Sequence, residues 1–157
     1  MALEPDDPLA RALAAARRTE PGWVDVSSSV LRRVASLSRP GEPLLVHTAA
    51  GEADQDEAGS HTYLSSRILL TALRRLLQSA PTHAPTGIDL EVHERRLTGL
   101  RISLAAAYGV ALPDLAEQVR SEVLAVVRDL LGPDPDLGPA QVEIAFDDVV
   151  PGDPREV

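Results

Sequence analysis

The stretch GIDLEVHERRLTGLRISLAAA, Gly87 to Ala107, decides the fold. In its first half Ile88, Leu90 and Val92 alternate with Asp89, Glu91 and His93, the period-two pattern of a strand that buries one face. In its second half Leu100, Ile102, Leu104 and Ala106 alternate with Arg101, Ser103 and Ala105 in the same way. Arg95 to Gly99 reads as the turn between them, so the simplest pairing is an antiparallel hairpin. Strand parity then gathers the apolar residues on one side and Asp89, Glu91, His93, Arg101 and Ser103 on the other.

Upstream of the hairpin, a Ser65/Ser66 cap precedes Ile68, Leu69, Ala72, Leu73, Leu76 and Leu77, which fall on one helical face, and Pro81 and Pro85 bracket the exit loop. Downstream, Tyr108-Gly109 ends the second strand, and Pro113 with Asp114 and Glu117 opens another helix. Its stripe is Leu115, Ala116, Val119, Val123, Val126, Val127, Leu130 and Leu131, and Gly132-Pro133 stops it. The proline-spaced connection Asp134–Pro139 leads to a last strand in which Val142, Ile144 and Phe146 alternate with Glu143 and Ala145. Leu44 to Thr48 is a candidate earlier strand. The expected fold is α/β in the sense of α+β, a small mixed or antiparallel sheet with two helices packed on one face. The polar face left open carries Asp89, Glu91, His93, Arg101, Ser103 and Glu143.

Helical spacing before Gly41, in Pro8–Arg18 and again from Val26 to Leu37, predicts an N-terminal helical extension. Residues 49–60, with four acids and no large apolar side chain, read as a mobile acidic loop. The expected organisation is an extension and loop over 1–58, an α+β domain over 59–150, and a disordered tail over 151–157.

The chain has 157 residues, 24 acidic and 15 basic, for a net charge of −9. That balance argues against binding nucleic acid by neutralising phosphates, and against direct attraction to an anionic membrane surface. No stretch is apolar enough to span a bilayer and no secretory leader is legible, so a cytoplasmic protein is expected, reaching a membrane only through a partner. There is no cysteine, and every basic residue is arginine. Thiolate ligands, cysteine nucleophiles, lysine Schiff bases and a Walker lysine are thereby excluded. No nucleophile elbow or dinucleotide fingerprint occurs. The acids at Asp54–Gly59 and Asp134–Asp136 fail the calcium-loop pattern and read as turns or solvated segments. Glu91 and His93 lie two apart on one strand, an arrangement that suits either a metal or proton-transfer pair or an exposed polar strand face.

Residues 61–149 resemble the alkaline shock protein family, also called the envelope stress response family. The resemblance rests on Y-G-x-x-L-P at Tyr108–Pro113, on the helix LAEQVRSEVLAVV that follows, and on V-E-I-x-F-D-D-V at Val142–Val149. The helix SSRILLTALRRLL would be that family's first core helix, and residues 1–58 lie outside its usual core. The resemblance implies a domain without catalysis and without cofactor, acting through protein contacts and homo-oligomers. It also implies a tie to the inner face of the cell membrane through a separate, membrane-anchored protein. From the residues, two functions are weighed, and the first is preferred because no catalytic constellation is found. One is a protein-interaction domain using the open sheet face or edge. The other is a small enzyme or ligand-binding domain with Glu91, His93, Arg101 and Glu143 as its chemical groups.

Overall fold

The computed structural model of the chain describes residues 41–156, and the two expected N-terminal helices lie outside them. Strand β1 (Pro43–Leu45) pairs antiparallel with β2 (Tyr63–Ser65) as a two-stranded ribbon. Helix α1 (Ser66–Leu77) follows directly, then β3 (His83–His93), β4 (Arg96–Ala107), helix α2 (Leu112–Leu131) and β5 (Val142–Val150). The main sheet runs β3-β4-β5, antiparallel between β3 and β4 and parallel between β4 and β5. The architecture is therefore α+β with a mixed sheet.

The two helices line the core with Leu69, Leu73 and Leu77 from α1 and Leu115, Val119, Val123, Leu124, Val127 and Leu131 from α2. Leu100, Ile102, Leu104 and Ala106 of β4 are buried with them. Burying each such aliphatic side chain contributes about 1.5–3 kcal/mol, which is why the stripe and the alternation decide the fold together. Two expected helical positions fall differently. Ile68 stands exposed, because the buried line of α1 runs through 69, 73 and 77, and Leu124 joins the core in place of Ala116.

The turn between β3 and β4 is shorter than expected. Only Glu94 and Arg95 leave the ladder, both with positive φ of 50° and 68°, and pairing resumes at His93↔Arg96. Such two-residue turns match the right-handed strand twist but favour Asn-Gly, so Glu-Arg gives no turn signal in the sequence. The extra residue sits instead in a bulge, where Thr98 stands opposite no partner and its hydroxyl donates to the Glu91 carbonyl oxygen at 3.1 Å.

The unit starts earlier than residue 59. Leu44 is fully buried, β1 pairs with β2, and Leu45 N–H donates to the Arg95 carbonyl at 2.7 Å, so residues from Gly41 onward belong to the same folded unit. The acidic segment has a regular frame as well. Bridges join His47 to Ala53 and Gln55 to His61, and the Asp56 carboxylate accepts the N–H groups of Ala58 and Ser60 at 2.9 and 2.8 Å. Acid side chains here satisfy backbone donors, a local use that composition does not reveal. Beyond β5 the chain turns back as a 3-10 turn, Pro154–Glu156, with Pro154 buried, in place of the expected disordered tail.

Candidate functional site

Both helices cover the same side of the main sheet, and the opposite side is open along β3, β4 and β5. Pairing fixes which residues share it. Asp89 lies opposite Arg101, and Arg101 opposite Glu143, so one guanidinium stands between carboxylates on both flanking strands. Arg101 Nε donates to Glu143 Oε2 at 3.0 Å, with the two side chains 53% and 60% exposed. That hydrogen bond, then the Glu143 charge and those of Glu91 and Asp89, raise the Arg101 pKa. An ion pair this exposed contributes little to folding; its effect is to hold Arg101 and Glu143 together at the surface, with Asp89 across the ladder from them.

Glu91 is turned toward Gly99 across the hairpin, where a Cβ would lie 2.7 Å from its Oε2, so Gly99 leaves the space into which the carboxylate folds. Ser103 pairs with Gly87 and Ala145, which keeps the middle of the face low. His93 sits at the hairpin end opposite Arg96. The structure thus brings Asp89, Glu91, Arg101 and Glu143 together, sets Ser103 beside them, and leaves His93 at the margin. Among the described residues no three histidine, aspartate or glutamate side chains converge as metal ligands.

Two further features give no signal in the sequence. The first is a buried polar cluster. Asp134, in the connection after α2, has a side chain only 7% exposed, yet accepts two hydrogen bonds from Arg96 Nη2 at 2.9 and 3.1 Å and one from the Asp136 N–H at 3.0 Å. His47 Nε2 lies 3.5 Å from the same carboxylate, and His47 Nδ1 is buried with no hydrogen-bond partner. Arg96 also reaches Asp136 at 2.9 Å. With Nε2 carrying the proton toward Asp134, Nδ1 is left as a bare acceptor. The cluster joins β4, the residue-47 bridge and the 134–136 connection, and we read it as a clamp between these segments.

The second is at the far end of the open face. Register shifts occur in β3 between Pro85 and Gly87 and in β5 between its partners of Leu104 and Ala105, and Thr86 donates its hydroxyl to Asp147 Oδ2 at 2.7 Å across the central strand. Beyond this tie the C-terminal turn crosses back over β3 and β4 and leaves a cavity of about 570 Å³ beneath it. No helix among the described residues is long and apolar enough to cross a membrane. Comparison with protein-family models, with curated proteins and with solved structures finds no match.

Proposed function

We propose that this domain is a non-catalytic protein-interaction module that receives its partner on the open face of β3-β4-β5. The reading is supported by one observation above others: a three-stranded sheet sheathed by helices on one side only, with the ordered row Asp89, Arg101 and Glu143 presented on the other. Charged rows of this kind set orientation and partner choice more than affinity. The resemblance to the alkaline shock proteins extends the proposal. Self-association and a membrane-anchored partner at the inner face of the cell membrane are the contacts it suggests, and a cytoplasmic location follows from them.

The experiment is affinity capture of the tagged full chain from native lysate after mild crosslinking, membrane fraction included, alongside Glu91→Arg and Arg101→Glu. A protein, or a second copy of the chain, that is retained by the wild type and lost by both variants supports the proposal, provided circular dichroism shows them folded. Retention unchanged by either reversal, or retention of nothing, overturns it.

A further inference from the structure

The cavity under the C-terminal turn has walls and a charge that together select a ligand. Its apolar surface comes from Ala84 on β3, Ala105 on β4, Val150 on β5 and Pro154 above them. The two alanines pair with each other across the ladder, and their small side chains leave the space that the turn then roofs. At about 570 Å³ it falls within the roughly 300–1,000 Å³ of ordinary ligand pockets.

Of the four polar residues that line it, Gln78, Thr86, Asp148 and Arg155, the second and the last are already engaged. Arg155 Nε is held by both Asp153 carboxylate oxygens at 2.9 and 3.0 Å, and the arginine in turn pushes the Asp153 carboxyl down to about 2. The Thr86 hydroxyl is committed to Asp147. Asp148 differs. Its Oδ1 accepts the N–H of Val149 at 2.7 Å, and it has no cation partner among the described residues. An exposed carboxylate beside these apolar walls, without a cation partner among the described residues, suits a cation carried on an apolar stem, which places its charge at the acid and its methylenes against the walls.

What surrounds the cavity points to a polypeptide. Tyr108, whose N–H donates to the Val150 carbonyl at 2.9 Å, is 82% exposed just beyond the end of β4. An exposed tyrosine near a pocket is a residue type that anchors protein interfaces. From the cavity, the acids Asp147, Glu143, Asp89 and Glu91 continue along the same open face toward the hairpin tip, with Arg101 between them. An extended segment lying on that face would meet negative charge along its length.

We infer that the cavity is the anchor site for an arginine or lysine side chain on a basic, extended segment of the partner protein. This rests on the proposed reading of the sheet face as protein-binding. The test is amide chemical-shift mapping on the full chain with three probes: the peptide acetyl-Gly-Ser-Arg-Ser-Gly-amide, the same peptide with neutral citrulline for arginine, and free arginine amide. Saturable shifts at Ala84, Ala105 and Val150 are expected with the arginine peptide, and binding at least about tenfold weaker with citrulline, the loss of one charge-assisted contact. Asp148→Asn should weaken the arginine peptide by a similar factor. Ala105→Leu, which fills the cavity without touching the charge, should abolish the shifts, so the inference stays testable if one variant does not fold.

Equal binding of the citrulline peptide, or shifts confined to other surfaces, overturns the assignment. Equal binding of free arginine amide overturns the choice of a polypeptide ligand. A captured partner that Glu91→Arg releases and Asp148→Asn does not, with no peptide shifts, overturns the anchor site and leaves the sheet-face proposal standing. Peptide shifts as expected with nothing captured have the opposite meaning.

Discussion

Asp134→Asn is the sharpest probe of how the face is held in register. The substitution keeps the volume and removes the charge from a carboxylate that takes two hydrogen bonds from Arg96 and one from the backbone of Asp136 while only 7% exposed. Breaking a fully buried ion pair costs about 3–5 kcal/mol. Here the cost is smaller for two structural reasons: Arg96 is 40% exposed, and it keeps Asp136 at 2.9 Å. The asparagine side chain would also retain an oxygen for the Asp136 N–H. The expected loss is about 1–2 kcal/mol for Asp134→Asn and about 2–4 kcal/mol for Asp134→Ala, which also gives up the backbone acceptor and leaves a gap. Urea unfolding followed by circular dichroism, at equal m-value, reads these directly. For a folded unit of this size each kcal/mol lowers the melting temperature by about 4 °C. A loss under about 0.5 kcal/mol for both variants, the level of an ordinary surface change, would refute the clamp and return Asp134 to the solvated turn its Pro-Asp context suggests.

Three other outcomes follow from the same structure. His83, buried with a ring nitrogen paired to the Thr82 hydroxyl at 3.0 Å, has its pKa lowered first by desolvation, against a raising effect from Glu122. The unfolded chain therefore takes up a proton at His83 as pH falls through about 6.5 while the folded chain does not, so stability declines below that pH and levels off once the folded value is passed; urea titrations at neutral and mildly acidic pH should show this decline reduced in His83→Gln. Gly132 ends α2 with φ of 80°, and a Cβ there would collide with the His47 carbonyl oxygen, so Gly132→Ala should cost about 2 kcal/mol or more in the same assay. Arg101→Glu should leave the unfolding midpoint close to that of the wild type, because its pair with Glu143 is solvent-screened, and a clear loss would mean the open face carries folding energy.

The hairpin and both helices are legible in the sequence because their apolar spacing is dense and single-valued: Ile88-Leu90-Val92 fits only a period of two, and Leu69-Leu73-Leu77 only a helix. The open face follows from parity, which needs no knowledge of the tertiary structure once the pairing is right. What spacing does not reveal depends on long-range geometry. The Glu94-Arg95 turn uses positive φ in residues that do not advertise it, so the pattern alone places the turn too late and makes it too long. Leu44 and its neighbours look like a short apolar run after two prolines, and only their pairing with Tyr63–Ser65 brings them into the domain. Asp134 reads as a solvated turn acid until Arg96, 38 residues earlier, is seen to reach it. The cavity arises from a turn that doubles back over alanines, and nothing in PGDPREV marks Pro154 as buried.

The division of labour between the two sheet faces makes the functional proposal separable from the fold. On the inner face, Leu100, Ile102 and Leu104 are closed off by α1 and α2, and each methylene lost there costs about 1 kcal/mol. On the outer face the paired charges are exposed and nearly neutral for stability. Since β4 carries both sets at alternating positions, the inner residues fix where the outer ones stand: Ile102 seated in the core leaves Arg101 facing outward between Asp89 and Glu143, and Ser103 between Gly87 and Ala145. A charge reversal at Arg101 or Glu91 therefore alters what the surface presents without moving it. Loss of a partner by such a variant, at unchanged melting temperature, can then be assigned to recognition, whereas the same loss after a change at Ile102 could not.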